Sequence, residues 1–203
     1  FTMAAPAQGP IDMKQFKLAL TWSDGGTDAT LTLHTLKLIK DGVDITGSVT
    51  IDNEDAAGTA EGTSGVTEGD STIIVTWDGS TEDAVAAGTS TTYTIRGTPN
   101  NFRTGTGSSD TAGIDSVALV FTRDTAAPAS TENYLNADSP AVGSIVGLYT
   151  SAAAGNSAAT NHTMIWSDEA AVAHAAAVGA SSTGDWTNSY LVQNILTSET
   201  WSR

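Results

Sequence analysis

The chain contains no cysteine, which excludes disulfide bonds, thiolate nucleophiles and thiolate metal centres. Basic residues are scarce. Eight Lys and Arg stand against 23 Asp and Glu, for a formal net charge of −15 and an isoelectric point near 4.1. That balance argues against nucleic acid as a partner, because its binders need basic patches. It also disfavours an anionic membrane surface. Aromatic residues make up only 6% of the chain, so a few Trp, Tyr and Phe side chains must anchor the core. No apolar run reaches the ~20 residues that a helix needs to cross a bilayer. Motifs of catalysis are missing as well: there is no Gly-x-Ser-x-Gly elbow, no His-Glu-x-x-His and no phosphate-binding glycine loop.

What is present is short-range alternation. Phe16, Leu18, Leu20 and Trp22 alternate with Lys17, Ala19 and Thr21, the period-two mark of a half-buried strand. Leu31 and Leu33 continue the pattern, but the phase shifts to Leu36 and Leu38, which predicts a bulge or break near His34-Thr35. Lys40-Asp41-Gly42-Val43 is a hairpin signal. Further strands are expected at Val49–Ile51, Ser71–Trp77, Thr91–Arg96, Ile114–Arg123, Ser144–Thr150, His162–Trp166 and Tyr190–Leu196. A turn is expected over Val85–Thr89, and the Ala-rich stretch Ala170–Gly179 has the propensity for a short helix. Many short strands without βαβ alternation predict an all-β fold, an Ig-like antiparallel β-sandwich of Greek-key type. One domain over residues 13–203 is expected, with a split near 125 as the alternative. Residues 1–12 carry Pro6 and Pro10 and read as an extended N-terminal arm.

No catalytic, cofactor-binding or metal-binding residue is assigned. His162 and His174 flank Trp166-Ser167-Asp168. Asp168 is placed to hydrogen-bond His174 across the loop as a polar clasp; an acid–base or metal pair is the competing reading. Asp24–Asp28 and Asp52–Asp55 read as acidic turns that lack the EF-hand pattern. Asn161-His162-Thr163 fits a glycosylation sequon, making Asn161 a candidate glycosylation site. Trp22 and Trp166 each open a Trp-Ser-Asp string, and their phase favours burial over an exposed sugar-binding platform. All four Lys lie at Lys14, Lys17, Lys37 and Lys40. They are either a solvated scatter or a basic sheet edge that meets an acidic patch on another copy.

The tail carries a resemblance. Trp166-Ser167-Asp168, His174 and Asp185-Trp186-Thr187-Asn188-Ser189-Tyr190-Leu191-Val192 resemble the C-terminal signature of large secreted surface proteins of uncultivated, ultra-small bacteria. Lys40-Asp41-Gly42-Val43-Asp44-Ile45-Thr46 and Ala86–Gly97 are similar to two further segments of those proteins, in the same order. The chain departs from the pattern at Ser189, at Ile195-Leu196-Thr197 and at Trp201. The resemblance transfers no catalytic residue. It implies a structural surface protein rather than an enzyme, and open sheet edges extend this to a non-catalytic structural subunit of an extracellular filament or cell-surface lattice.

Such a subunit would be a homopolymer that assembles through open sheet edges and through the arm, with Phe1, Met3 and Ile11 as anchors. A disordered leader is the plain reading of the same arm. An adhesin or carbohydrate-binding sandwich is the alternative function. Neither a cofactor nor a membrane span is expected, and glycans are the one other partner class considered.

Overall fold

The computed structural model describes residues 1–25, 30–52, 65–78, 81–102, 115–121, 164–170, 173–176, 183, 185–188 and 199–202. In chain order its strands are β1 (Thr2–Ala4), β2 (Ile11–Ser23), β3 (Thr32–Lys40), β4 (Val43–Asp44), β5 (Val49–Asp52), β6 (Val66–Thr67) and β7 (Thr72–Trp77). They continue with β8 (Asp83–Val85), β9 (Ser90–Asn100), β10 (Ser116–Val120), β11 (Met164–Ser167), β12 (Trp186–Asn188) and β13 (Glu199–Ser202). One 3-10 turn, Thr46–Ser48, precedes β5, and the described residues include no α-helix. The fold is all-β, with every strand pair antiparallel.

The strands form two sheets. One has the order β1-β9-β3-β4, with β6 also on β3. The other is built around β2, which pairs with β8 and β7 along one side and with β11 and β10 along the other. β5 lies outside β7, β12 outside β11 and β13 outside β10. The two sheets share one apolar core, as in a β-sandwich. Met13, Phe16, Leu18 and Leu20 from β2, with Ile73, Val75 and Trp77 from β7, meet Leu33, Leu36 and Leu38 from β3 and Tyr93 from β9. Strands before residue 25 and after residue 164 therefore share a sheet.

Local signals explain the bends. In β3, Thr35 has φ 53° and the register on β9 shifts between His34 and Lys37, so two residues oppose Gly97. This is the predicted bulge, and it keeps Leu33, Leu36 and Leu38 all on the core side. Gly97 is the small residue that fits there, because a Cβ would lie 3.1 Å from Leu36 Cδ2. The β3–β4 hairpin turns at Asp41 and Gly42, both at positive φ, as Asp-Gly favours. A second bulge, at Lys14, lies opposite the Ile165–Trp166 step of β11. It moves the core-facing set of β2 from Met13 to Phe16.

Several expectations are corrected. Lys17 was placed away from the apolar face by alternation, yet Asp12, Lys14, Gln15 and Lys17 are all buried. Neighbouring strands flank β2 on both sides, and its first two-thirds are buried throughout. Val85 belongs to β8, and the turn runs from Ala86 to Thr89, closed by Thr89 N–H donating to Ala86 O at 3.0 Å. β9 continues past Arg96 through Pro99 to Asn100. Pro99 is tolerated because β1 covers only Ser90–Thr92, leaving that side of β9 open further along. The strands expected at Ser144–Thr150 and Tyr190–Leu196 lie outside the described residues, as does half of the Ala-rich stretch. Its described part, Ala170 and Ala173–Ala176, is not helical.

Candidate functional site

The residues assigned to the arm are placed within the chain's own fold. β1 pairs with β9 in the register Thr2↔Thr92, Met3↔Thr91 and Ala4↔Ser90. Phe1 packs 5.0 Å from the ring of Phe16, 5.1 Å from Tyr93 and 4.8 Å from Phe121, measured between centroids. Met3 is half-buried against the core, and Ile11 is buried with Ala5 and Val85. β2 begins at Ile11, so the segment outside regular structure between β1 and β2 is Ala5–Pro10. Asn161 lies outside the described residues.

The four lysines do not form a basic edge. Lys14 and Lys17 are buried, Lys40 Nζ lies 2.5 Å from Asp83 Oδ1, and Lys37 pairs with Asp44 at 2.8 Å.

The chemistry-bearing groups converge where the tail meets β2. After β11 the chain turns sharply, with Glu169 at φ 53° and Ala173 at φ 65°. Asp168 caps this turn locally, its Oδ1 accepting from Ala170 N–H at 3.1 Å. The expected Asp168–His174 clasp is therefore replaced. His174 Nδ1 lies 2.7 Å from Asp185 Oδ2 instead. Ser167, fully buried, donates from Oγ to that same Asp185 oxygen at 3.0 Å and accepts from Glu169 N–H at 3.0 Å. Trp186 stacks at an angle on the imidazole, centroids 5.1 Å apart, and its Nε1 donates to Ala175 O at 3.0 Å. Ser167, His174, Asp185 and Trp186 of the tail signature thus form one framework around one imidazole.

The other ring nitrogen faces the body of the sandwich. His174 Nε2 is 3.3 Å from Asp12 Oδ2 on β2 and 4.0 Å from Glu82 Oε2 just before β8. The Nε2 and Oε2 atoms are shut off from solvent and make no aligned hydrogen bond. Asp12 is buried, and its carboxyl is pushed up to about 7. Burial is the largest cause, followed by the hydrogen bond to Glu169 and the charges of Glu169 and Glu82, while His174 pulls the other way. Beside it, burial pushes Lys14 down to about 8, opposed by the charges of Glu82 and Asp78. Lys14 Nζ donates to Thr81 O at 2.7 Å.

Ser167, His174 and Asp185 do not make a nucleophilic triad. A nucleophile needs its hydroxyl on the free imidazole nitrogen and open to substrate. Here serine and imidazole share the same aspartate oxygen, and Ser167 has no exposed surface. Asp12 and Glu82 escaped the sequence reading, and Asp185 entered it only as part of the tail signature. The available signal was Asp12 itself, a lone acid inside the apolar run Ile11–Met13 that opens the longest strand.

An exposed aromatic row is not found among the described residues. Trp77 and Trp186 are buried, and Trp22 and Trp166 are half-buried. No protein-family model, curated protein or solved structure matches the chain.

Proposed function

We propose that this chain is a non-catalytic structural subunit of an extracellular filament or surface lattice, with Ig-like kinship, that joins copies by exchanging β1. The observation that carries the reading is the seat of β1. A three-residue edge strand inserts Phe1 among Phe16, Tyr93 and Phe121, and only the Pro6- and Pro10-bearing segment Ala5–Pro10 links it to β2. A short strand that plugs a core is the element used in donor-strand complementation. The same contacts made to a second copy cost little beyond linker strain, and a head-to-tail exchange propagates unless its rotation closes a ring. The acidic, cysteine-free composition suits a soluble surface protein, and the tail resemblance points to the same setting.

The reading is tested by locking the strand. Phe1 and Tyr93 exchange both backbone hydrogen bonds, Phe1 N to Tyr93 O at 2.9 Å and Tyr93 N to Phe1 O at 2.8 Å. Thr2 and Thr92 are therefore a close, non-hydrogen-bonded pair, with hydroxyls 3.0 Å apart. Cysteines at both positions have the geometry for a disulfide. In negative-stain microscopy the unmodified chain should form regular filaments or sheets. The oxidised Thr2→Cys/Thr92→Cys chain should not, and reduction should restore them. Assembly by the oxidised chain would rule out β1 exchange. A chain that stays monomeric at high concentration would rule out the polymer, and a glycan-binding screen would then test the adhesin reading.

A further inference from the structure

We propose that Asp12, Glu82 and His174 bind one divalent transition-metal ion of the zinc class, which fastens the tail to the body of the sandwich. The three side chains come from β2, from the approach to β8 and from the turn after β11. Each offers one ligand atom, and these atoms all lie within 4.8 Å of one another. Four donors at roughly 2.1 Å around a tetrahedral ion stand about 3.4 Å apart. The Nε2–Oδ2 separation of 3.3 Å matches that edge, and the 4.0 Å to Glu82 Oε2 needs only a small side-chain adjustment.

Three further features favour an ion. The first is the imidazole's orientation. With Nδ1 held 2.7 Å from Asp185 Oδ2, the ring turns Nε2, its other possible ligand atom, toward the two carboxylates. A carboxylate behind a metal-binding histidine fixes the tautomer and raises the basicity of the ligand nitrogen. The second is that His174 Nε2 and Glu82 Oε2 are both buried and make no hydrogen bond. A buried polar atom without a partner carries a desolvation cost that a cation removes. The third is the bulge at Lys14, which interrupts β2 two residues after Asp12, as bulges do beside functional sites.

The donor set selects the ion class. One imidazole with two carboxylates suits zinc and its first-row neighbours, whereas calcium takes six to eight oxygens and no nitrogen. Three protein ligands leave one coordination position for water. The ion's place, between elements distant in sequence, is that of a structural staple, and the site does not depend on β1 exchange.

The test is metal content and affinity of the full chain. Stripped protein dialysed against Zn²⁺ and then washed should retain one equivalent by elemental analysis, with a raised melting temperature. Asp185→Asn should weaken binding by about 10–100-fold. His174→Gln and Glu82→Gln, checked for folding by circular dichroism, should abolish stoichiometric retention. If His174→Gln does not fold, the ¹⁵N resonance of His174 Nε2 in the unaltered chain decides, since it must shift on Zn²⁺ addition. Failure of the unaltered chain to retain zinc, equal retention by a folded His174→Gln chain, or an unmoved Nε2 resonance would each overturn the proposal.

Discussion

The Tyr93 hydroxyl donates to Asp83 Oδ2 across 2.6 Å, and this bond joins the two sheets. Tyr93 stands on β9 in one sheet, and Asp83 opens β8 in the other. Lys40, on β3 beside β9, reaches the second oxygen of the same carboxylate. Burial and the hydrogen bond to Asp83 push the Tyr93 phenol well above its ordinary range, so it remains a donor throughout the working pH range. One carboxylate thus clamps the rim of the core at two points.

Tyr93→Phe should cost about 1.5–3 kcal/mol, the worth of a hydrogen bond to a charged group. Asp83→Ala should cost more, about 3 kcal/mol or above, because it strips both Tyr93 and Lys40 of their acceptor in a largely buried setting. Urea denaturation of the two variants gives the order directly. An Asp83→Ala chain as stable as Tyr93→Phe would mean that Lys40 finds water at no cost and that the clamp is only half of what is described.

Phe1 should carry a measurable share of stability in the monomer. Removing a fully buried Phe ring costs about 3–5 kcal/mol, and half-burial brings the expectation for Phe1→Ala to about 2–3 kcal/mol. Phe16, Tyr93 and Phe121 would be left lining a vacated space. Equilibrium unfolding measures the loss. A change below about 0.5 kcal/mol, the range of ordinary surface substitutions, would show that the strand is not seated in solution.

Gly65 and Gly42 separate conformational strain from collision. Both have positive φ, +90° and +87°. At Gly42 an added Cβ meets nothing within 4 Å, so Gly42→Ala should cost only about 1–2 kcal/mol for the left-handed backbone. At Gly65 the Cβ would fall 2.2 Å from Leu33 O, inside the β3–β6 pairing. Gly65→Ala should therefore exceed Gly42→Ala by about 2 kcal/mol or more. Thermal denaturation of the pair tests this, and equal costs would contradict the close approach of Gly65 to β3.

The local signals were the legible ones. The phase change from Leu33 to Leu36 announces the bulge at Thr35, and Asp41-Gly42 announces its hairpin, because each depends on a few adjacent residues. The all-β class follows from the same alternation. The burial of Asp12 was not legible, because alternation places it opposite Ile11 and Met13, and β8 and β11, which enclose it, fold in from far along the chain. β1 was illegible for a related reason. Three residues after which Pro6 and Pro10 follow read as an arm, and their strand character exists only through Ser90–Thr92. In the candidate site His174 was noted in the sequence, but the carboxylate expected to bond it, Asp168, lost to Asp185. The turn at Glu169 points Asp168 back to its own backbone, and β12 brings Asp185 under the ring.

Lys14 gives the fold a pH dependence of defined sign. Its ammonium is buried and held by Thr81 O, and its folded-state value of about 8 lies below the ordinary 10.5. Below pH 8 the lysine is protonated in both states, and the fold bears the cost of burying the charge. Between about 8 and 10.5 the folded chain releases that proton while the unfolded chain keeps it. The unfolded state then binds more protons, and stability rises with pH across the window. Asp12, raised to about 7, makes its own contribution between 3.8 and 7, where the folded chain holds the extra proton and stability falls as pH rises. It is flat in the range that reports Lys14. Other groups titrate alike in the unaltered chain and in Lys14→Met, so the difference between the two isolates the lysine. Urea midpoints at steps from pH 7.5 to 10 should show the unaltered chain gaining on Lys14→Met as pH increases. Parallel curves would mean that Lys14 keeps an ordinary value in the folded protein and that its burial is relieved by a stronger partner than Thr81.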